Sequence, residues 1–388
     1  MKPTNTLCML LLLGSCIVSC NDKKSESNQT GALIEVELSD FEVKPTFQSI
    51  VKLETTDSCL IQRIKNMEFD ADLFFILSSA SQGNKEDVYV FDKTGKFIRS
   101  IGLQGQGPEE YISINSFILD KANRLISFVD THKKALITYD YEGNWRSNRD
   151  ISNFLKLGLV KSCKLFNNKL YGYNYIFNDY PAGMHSIDLN TDQCEILFSH
   201  APFRTSGYGD AIDISMSKSD DRMTFTKILN DTIFSINANG EIAPYYRINH
   251  NKSVVDPSTI KEPFTVDNMF RFYVYNLSDK EYFKGYDAIH ENSDYIFIRA
   301  GGYRVGHRYL IDKRKKRALF EISSYESDAK EFPLQEPDFV INDQFVLVAQ
   351  PYSLISNRNQ YSNDDFAQKT IAQLNEDDNP CLVFYTLD

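Results

Sequence analysis

The amino-acid sequence predicts an all-β protein built from a repeated unit of four antiparallel strands, with a short helical insertion near the C-terminus. Three observations support this prediction. A short apolar strand, a turn that begins with Asp or Asn, and a second strand recur together along the chain. Most of these recurrences are evenly spaced. Finally, the 388 residues include 27 Phe and 22 Tyr but only 18 Gly and 12 Pro, and aromatic residues favour strands.

The turns define the period of the repeat. They begin at Asp92, Asp140, Asp188, Asn237 and Asp312. The first four turns are separated by 48, 48 and 49 residues, whereas the next step is 75 residues and a similar distance remains to the C-terminus. Gly or Asn in these turns can supply the positive φ angle that a tight hairpin requires. The two long steps indicate insertions, one around 249–276 and one that includes 364–374.

A period near 48 residues is typical of a four-stranded propeller blade, for which repeats are about 40–50 residues long. The five segments with these turns and the strand at 382–385 make six copies of the unit. Six copies predict a six-bladed β-propeller over residues 32–388. The final strand, at 382–385, leaves the last blade incomplete. An N-terminal strand, such as that at 33–38, could complete it, because ring closure removes exposed sheet edges. A pair of β-sandwiches with coincidental spacing is the alternative.

The segment 364–374 has the pattern of a helix. Ala367, Ile371 and Leu374 would share one helical face. Ser362 or Asn363 could cap the N-terminus of this helix, since both side chains can accept a hydrogen bond from a free backbone N–H group.

The N-terminal region predicts export and a lipid anchor. An apolar run at 7–18 has the length of a signal-peptide core and is too short to span a membrane as a helix. It leads to Cys20 in a pattern that resembles the bacterial lipobox, so residues 1–19 are predicted to be a lipoprotein signal peptide and Cys20 the lipid attachment site. Residues 20–31 are polar and are expected to form a flexible tether. Cleavage before Cys16, ordinary secretory cleavage and an uncleaved anchor are the alternatives.

The charge and the cysteine content exclude several function classes. The net charge of −11 argues against nucleic acid as the main partner. Four cysteines follow the predicted anchor: Cys59, Cys163, Cys194 and Cys381. None of them forms a C-x-x-C motif, so zinc binding and thioredoxin-like chemistry are not expected. They could pair in three ways in an oxidising compartment, but free buried thiols are the preferred interpretation.

The sequence lacks the common catalytic and metal-binding motifs. Its six histidines show no metal-ligand spacing, and there is no G-x-S-x-G motif. The pattern Ser-x-x-Lys occurs at 215–218 and at 258–261. The first match lies in a strand-like run, whereas that chemistry needs both residues on one face of a helix, so we interpret the matches as coincidences. No cofactor, no metal and no catalytic residue are predicted.

Four short segments resemble a known family. They are LETTDSCLI at 53–61, FDKTGK at 91–96, GQGPEEY at 105–111 and DDNPCL at 377–382. Together they are similar to the six-bladed β-propeller lipoproteins of Bacteroidota, whose architecture is related to that of NHL and TolB-type propellers. The resemblance implies a propeller fold and a location in the cell envelope. It transfers no catalytic residue, because the family has no settled activity. Glu109 departs from the family pattern, which usually has a second glycine at this position.

Propeller topology predicts which face carries a binding site. In a four-stranded blade, the turns between the first and second strands and between the third and fourth strands lie on one face, and the remaining loops lie on the other. The Asp and Asn turns are assigned to the third and fourth strands. The loops expected on the opposite face, around the channel mouth, are 102–113, 129–134, 173–184, 300–307 and the segment after Gln350. Their candidate ligand-binding residues are Glu109, His132, Tyr175, Tyr180, Tyr303, Arg304, His307 and Tyr352.

The candidate residues combine aromatic rings with charged and polar groups. The rings could stack on sugars or peptide groups, and the other side chains could bind carboxylates or hydroxyls. Tyr173 and Asp130 could add contacts to this set. A purely structural interpretation stays open for part of it, in which Gly105, Gly107 and Pro108 only shape a turn between blades. Tyr111 would then pack between those blades.

These observations predict a lipoprotein of the cell envelope, anchored in the outer membrane. We expect it to act as a non-catalytic binding or scaffold module for a glycan, a peptide or a partner protein, through the loop face of the propeller. The membrane would be a partner through the anchor, and nucleic acid would not. Two alternatives stay open. One is a hydrolase or lyase at the channel mouth, since propellers host both classes. The other is a structural or sensory subunit that uses the outer blade edges.

Overall fold

The computed structural model describes residues 32–79, 86–158, 160–174, 183–199, 216–219, 221–227, 229–250, 253–254, 282–283, 285–300, 307–320 and 334–388. The predicted signal peptide and tether lie outside these residues, as does most of the predicted insertion at 249–276. Within the described residues the protein is all-β apart from three short helices and one 3₁₀ turn, which confirms the predicted class.

The strands are numbered in chain order. They are β1 (Ile34–Leu38), β2 (Pro45–Lys52), β3 (Arg63–Asp70), β4 (Leu73–Ser79), β5 (Glu86–Asp92), β6 (Phe97–Ile101), β7 (Ser116–Asp120), β8 (Leu125–Asp130), β9 (Ala135–Asp140), β10 (Trp145–Asp150), β11 (Val160–Phe166), β12 (Lys169–Asn174), β13 (Met184–Asp188), β14 (Cys194–Phe198), β15 (Met216–Lys218), β16 (Arg222–Phe225), β17 (Thr232–Asn237), β18 (Ile242–Asn249), β19 (Ser253–Val254), β20 (Tyr282–Phe283), β21 (Tyr286–Glu291), β22 (Tyr295–Ala300), β23 (His307–Asp312), β24 (Arg317–Phe320), β25 (Phe339–Ile341), β26 (Gln344–Ala349) and β27 (Cys381–Leu387). The helices are α1 (Ser152–Leu155), α2 (Pro351–Ser356) and α3 (Asp365–Ile371), and the 3₁₀ turn is Arg358–Tyr361.

Most strands belong to four-stranded antiparallel units, formed by strands that follow one another along the chain. Unit 1 is β3 to β6, unit 2 is β7 to β10, unit 3 is β11 to β14, unit 4 is β15 to β18, and unit 5 is β21 to β24. Unit 6 combines β25, β26 and β27 with β2. The short strands β19 and β20 pair with each other.

The first strands of the units contact one another in a closed ring. β3 contacts β7, β7 contacts β11, and β11 contacts β15. The ring continues from β15 to β21 and from β21 to β25, and β25 contacts β3 again. The fourth strand of each unit lies at the opposite edge of its sheet, so the units radiate from a common axis as in a β-propeller. We call the side with the first-to-second and third-to-fourth turns the turn face, and the opposite side the loop face.

Five hairpin turns have the local chemistry that their sequence predicts. The side-chain oxygen of the first turn residue accepts hydrogen bonds from backbone N–H groups of its own turn, as in the 2.8 Å bond from Thr94 N to Asp92 Oδ1. The same interaction occurs at Asp140, Asp188, Asn237 and Asp312. All five turns connect the third and fourth strands of a unit, as predicted. Because these hydrogen bonds are local, the turn sequence alone can specify them.

Gly95 shows why the turn in unit 1 requires glycine. Its φ angle is +87°, and a Cβ atom at this position would lie 2.1 Å from the carbonyl oxygen of Lys52. The carbonyl oxygen of Gly95 accepts a 2.8 Å hydrogen bond from Glu54 N. The turn of unit 1 therefore packs directly against the chain that leaves β2 of unit 6.

Ring closure differs from the sequence prediction. The strand predicted to complete the last unit corresponds to β1, but β2 completes it instead, antiparallel to β27. β1 lies between units 4 and 5, where it pairs in parallel with both β18 and β24 and joins them into one nine-stranded sheet. An N-terminal strand does complete the last unit, as the sequence indicated, but the choice of 33–38 was wrong. The local sequence does not show which sheet edge an N-terminal strand covers, because tertiary pairing decides it.

Asn379 connects the two ends of the chain at this closure. Its buried Nδ2 donates hydrogen bonds of 2.7 Å to the carbonyl oxygens of Glu54 and Cys59. Its Oδ1 accepts a 2.7 Å hydrogen bond from Ile61 N. Its own N–H donates to Thr55 Oγ1 over 2.8 Å. The segment before β27 is therefore held to the loop after β2 by four hydrogen bonds.

The helical insertion lies between β26 and β27. The residues predicted to share one helical face are buried, and they are Ala367, Ile371 and Leu374. The N-cap of α3 is Asp364, whose side chain accepts a 2.7 Å hydrogen bond from Ala367 N. The predicted caps, Ser362 and Asn363, were wrong, because Ser362 still ends the preceding 3₁₀ turn. In the described part of the chain, none of the helices has the length and apolar character needed to cross a membrane.

The four cysteines of the described region are free thiols: Cys59, Cys163, Cys194 and Cys381. Burial raises the pKa of Cys381 to about 12, so its thiol is protonated at neutral pH. Cys163 is buried as well, and burial raises its pKa in the same direction. These thiols therefore pack as small apolar side chains.

We expect Asn379→Ala to lower the free energy of unfolding by about 3 kcal/mol, since it leaves buried backbone groups of the β2–β3 loop without partners. Urea unfolding measures the effect. Asn375→Ala is the matched control. Asn375 is exposed and lies with Asn379 in the loop before β27, so this substitution should change the unfolding midpoint little. Equal effects of the two substitutions would contradict the role of Asn379 in closure.

We also expect Val36→Asp to detach β1. Val36 is fully buried between units 4 and 5, and burial of an unpaired charge there should cost about 3 kcal/mol. The freed edges of β18 and β24 should then promote self-association. Thermal unfolding and light scattering measure both effects. Glu35→Asp is the control, because it places an aspartate on the exposed face of β1. It should leave the unfolding temperature and the light scattering unchanged.

Candidate functional site

A cavity of about 710 Å³ lies within the ring of first strands. Each of the six units contributes to its wall. Contributing residues on the six first strands include Glu68, Ser116, Lys164, Lys218, His290 and Phe339. A concave site of this volume, with several converging polar groups, has the size of a small-molecule site.

The cavity extends to the turn face. Its wall includes residues from four of the turns that join first and second strands, namely Lys121, Ser219, Asn292 and Asn342. Lys313, which follows β23 in a turn between third and fourth strands, also contributes. The sequence predicted binding at the loop face, so it did not predict this cavity.

An ion pair connects units 1 and 3 across the cavity. Lys164 Nζ lies 3.4 Å from Glu68 Oε1. Burial raises the pKa of Glu68. Three positive charges outweigh this effect, those of Lys164, Lys218 and Lys121, and the pKa of the carboxyl group lies below its ordinary value. The Glu68 carboxylate is therefore ionised at neutral pH. We call Lys121, Lys164 and Lys218 the lysine cluster.

Other charged groups of the cavity wall have partners of their own. Lys313 Nζ lies 2.7 Å from the buried Glu291 Oε1, which also accepts a 3.2 Å hydrogen bond from Tyr245 OH. Lys65 forms an ion pair with Glu86. These pairs neutralise their part of the wall. The wall also contains the carboxyl groups of Asp221, Asp338 and Asp343, so its described lining carries five acidic residues and five lysines.

His290 lies in the same cavity, on β21. Burial lowers its pKa to about 4, with further contributions from the positive charges of Arg299 and Lys164. The ring is therefore neutral at physiological pH. A neutral imidazole can donate or accept a hydrogen bond, but it adds no charge to the cavity.

Three of the predicted ligand-binding residues are described together with their side chains, and none of them lines this cavity. His132 is exposed, and its Nδ1 lies 2.8 Å from Ser113 Oγ. Tyr352, on α2, has 59% of its surface exposed. Glu109 is also exposed, and its carbonyl oxygen accepts a 2.6 Å hydrogen bond from Tyr139 OH. Ligand binding by these three residues stays a prediction.

The other predicted residues fall wholly or partly outside the described region. Tyr175, Tyr180, Tyr303 and Arg304 lie outside it, as does Cys20. His307 begins β23, and its backbone is paired with that of Ala300. Their roles also stay predictions.

Tyr173 and Asp130, which the sequence suggested as additional contacts, are structural residues. Tyr173 is fully buried, and its hydroxyl donates a 2.6 Å hydrogen bond to the carbonyl oxygen of Thr226. Asp130 is fully buried as well, and its carboxylate accepts hydrogen bonds of 2.6 Å from Ile112 N and 2.9 Å from His132 N. Both side chains therefore bind backbone groups in the interior.

The glycine-rich loop at 105–111 forms a connection between units 1 and 2, which is the structural role that the sequence analysis left open. Tyr111 is 1% exposed, packs between units 1 and 2, and donates a 2.7 Å hydrogen bond to the carbonyl oxygen of Glu86. Lys133 Nζ donates to the carbonyl oxygens of Gly107 and Glu110. These contacts join the loop to unit 1 through Glu86 and to unit 2 through Lys133.

Sequence reasoning missed the lysine cluster. Each of its lysines, taken alone, resembles an ordinary surface lysine. Lys121, Lys164 and Lys218 nevertheless lie on or directly after the first strands of three successive units. A lysine that recurs near the same position of the repeat is the signal that could have revealed them. The Ser-x-x-Lys match at 215–218 did include Lys218, and residues 216–218 of this match form the strand β15, as predicted.

The described residues contain no group of three or more His, Cys, Asp and Glu side chains placed to hold a metal ion. The polar groups of the cavity that face one another are instead ammonium, carboxylate, hydroxyl and amide groups. Such a wall can bind a polar or charged ligand by hydrogen bonds and charge complementarity.

We expect His290 to remain neutral from pH 8 down to about pH 5, because its pKa is lowered to about 4. Histidine NMR titration measures this, and His290→Asn assigns the signal. Lys164→Met should raise the pKa of His290 by about one unit or less, since it removes one positive charge. Lys65→Met removes a lysine that is paired with Glu86 and should leave the titration unchanged. Titration of His290 near its ordinary pKa would contradict the described site.

Comparison with solved structures shows the fold. A protein from Bacteroides fragilis described as exported matches with a TM-score of 0.65 and 18% identity, over 92% of this chain and 100% of that one. A member of the DUF4221 family from Bacteroides vulgatus matches with a TM-score of 0.57 and 11% identity, over 89% of this chain and 99% of that one. At these identities the similarity concerns the fold alone.

Comparison with sequence families gives a match that spans nearly the whole chain. No protein with a curated description matches the sequence. The family described as Domain of unknown function (DUF4934) matches residues 26–386. This match includes all six units and the residues of the cavity. The chain therefore belongs to the DUF4934 family.

Proposed function

We propose that this protein is a lipid-anchored, non-catalytic binding protein of the cell envelope, built as a six-bladed propeller that holds a small ligand in its central cavity. The observation that carries this proposal is the cavity of about 710 Å³, whose wall includes polar or charged side chains from each of the six units. A cavity of this kind favours a bound small molecule or the end of a glycan or peptide over a flat protein interface.

The proposed location rests on the N-terminal sequence and on the fold. The apolar run at 7–18 and the lipobox-like pattern before Cys20 support export and lipid attachment. The Bacteroides fragilis protein with the similar fold is described as exported, which supports a place outside the cytoplasm for this chain too. We propose the outer membrane as the site of anchoring.

The proposed blade count rests on the ring of first strands. Six units, each with four antiparallel strands, contact one another in order and return to the first. We interpret each unit as one blade, with β1 as an additional strand shared by two of them. The two blades that share β1 would be held together more firmly than the others.

Binding without catalysis is favoured by the charges in the cavity. Glu68 has a lowered pKa and is ionised at neutral pH, so it is poorly suited to act as a general acid. Glu291 already forms an ion pair with Lys313 and accepts a hydrogen bond from Tyr245. Hydrolysis by paired carboxylates requires one of them to hold a proton, and Glu68 and Glu291 do not form such a pair. Burial raises the pKa of a third carboxyl group in the wall, that of Asp338, and this group is the one that the hydrolase alternative would use as an acid.

A screen of glycans and peptides against the full chain tests the proposal, with turnover assayed for every ligand that binds. We expect binding without turnover. Ser162→Phe places a bulky ring on the cavity wall and should weaken binding at least about tenfold, the loss that a steric clash of about 1.4 kcal/mol causes. Ser147→Phe makes the same change on the exposed outer strand β10 and should have no effect.

Two outcomes would contradict this proposal. Turnover of a bound ligand would support the hydrolase or lyase alternative. Loss of binding in Tyr352→Ala, with retention in Ser162→Phe, would place the ligand at the loop face, where the sequence first predicted it.

A further inference from the structure

The charged side chains of the cavity wall balance one another. The described lining contains five acidic residues and five lysines, so it carries no net formal charge. Three of the lysines form ion pairs, Lys65 with Glu86, Lys164 with Glu68 at 3.4 Å, and Lys313 with Glu291 at 2.7 Å. The side chains of Lys121 and Lys218 are exposed, so water can solvate them.

The three aspartates of the wall also have partners within the protein. These contacts are an ion pair of 2.7 Å between Asp221 and Arg222, a 2.8 Å hydrogen bond that Asp338 accepts from Val348 N, and a 2.6 Å hydrogen bond that Asp343 accepts from Ser293 N. The carboxyl groups that a cationic ligand would need are therefore already bound to groups of the chain.

Three neutral side chains of the wall are in a different situation. Ser116 begins β7 of unit 2, Ser162 lies on β11 of unit 3, and His290 lies on β21 of unit 5. Among the residues that the structure describes, neither the two hydroxyl groups nor the imidazole nitrogens have a hydrogen-bond partner. These three groups line the cavity with their hydrogen-bonding capacity unused, so they are available to a ligand.

We propose that the central cavity binds an uncharged, hydroxyl-rich ligand, a neutral sugar, through Ser116, Ser162 and His290. This inference rests on the proposed function and names the chemistry of the ligand. A serine hydroxyl and a neutral imidazole each offer both a donor and an acceptor, and so does every hydroxyl of a sugar. A carboxylate only accepts hydrogen bonds and an ammonium group only donates them, and either would bring a charge that the balanced wall leaves uncompensated.

A sugar also fits the wall better than the end of a peptide does. A peptide end carries an ammonium or a carboxylate group, which would have to compete with existing ion pairs for a partner. A sugar hydroxyl can instead join a pair that is already formed, donating to the Glu68 carboxylate while it accepts from the Lys164 ammonium group. Phe69 and Phe339 line the cavity too, and their rings offer apolar surface to the C–H groups of a sugar ring.

The ring of first strands prepares this site before a ligand arrives. Ser116, Ser162 and His290 come from three different units, and each lies on a first strand whose neighbours in the ring hold it in place. Such a fixed arrangement lowers the entropic cost of binding. The volume of about 710 Å³ lies within the usual range of small-molecule pockets.

Isothermal titration calorimetry on the full chain tests the charge requirement. The probes are glucose, galactose and mannose, each compared with its uronate and with its 2-amino sugar. We expect at least one neutral hexose to bind, and its uronate and amino sugar to bind at least about tenfold more weakly, since each adds an uncompensated charge. Added salt should change the affinity for the neutral hexose less than about twofold, because salt screens only charged partners.

Two substitutions test the proposed hydrogen bonds. His290→Phe keeps a ring but removes both nitrogens, and Ser162→Ala removes the hydroxyl, so each should weaken binding of the neutral hexose about tenfold. His290→Gln restores a donor and an acceptor and should recover part of the loss. His132→Phe and Ser147→Ala, at exposed positions outside the cavity, are the matched controls and should have no effect.

Histidine NMR separates a binding role of His290 from a merely structural one. The bound hexose should shift the imidazole signals of His290 and leave those of His132 unchanged. Thermal unfolding of each variant verifies that it folds. An unshifted His290 signal at saturating hexose would contradict the proposed contact.

The remaining outcomes distinguish this inference from the proposed function. Binding of none of the neutral hexoses, tighter binding of a uronate or amino sugar than of its parent hexose, or equal affinities in His290→Phe and His132→Phe would overturn the neutral-sugar site. A peptide or charged glycan that Ser162→Phe excludes, but that His290→Phe does not affect, would leave the proposed function intact and refute the neutral sugar.

Discussion

The architecture depends on one non-local contact, the antiparallel pairing of β2 with β27 and the hydrogen bonds of Asn379 beside it. Cys59 and Asn379, which these bonds connect, are separated by 320 residues. The entropic cost of closing so long a loop grows only slowly with its length, so a few buried hydrogen bonds and a shared apolar core can offset it. Without this contact, units 1 and 6 would expose the faces that they now bury against each other.

Closure also determines what the centre of the molecule contains. Once β25 returns to β3, the first strands are fixed around one axis, and residues that are distant in sequence face a common cavity. Glu68 and Lys164 belong to units that are not neighbours in the ring, yet their side chains form an ion pair. The cavity is therefore a property of the ring as a whole. Disruption of the closure should disturb the cavity as well as stability.

The sequence was sufficient for features that are local and insufficient for those that are not. The turn at Asp92 is specified by its own side chain and by Gly95, and the same chemistry repeats with a regular period, so the units could be predicted. The roles of β1 and β2 could not, because both read as strands and their partners lie far along the chain. Glu68 and Lys164 illustrate the same limit for the site. Each is an ordinary charged residue in a strand until the ring brings the two together.

The lysine cluster is costly for the fold, and this cost supports a functional interpretation. Lysine is depleted in strands, and like charges that point into one space repel each other. Ion pairs offset part of this cost: Lys164 lies 3.4 Å from Glu68, and Lys313 lies 2.7 Å from Glu291. Departures from the residue preferences that the rest of a fold follows are expected at functional sites.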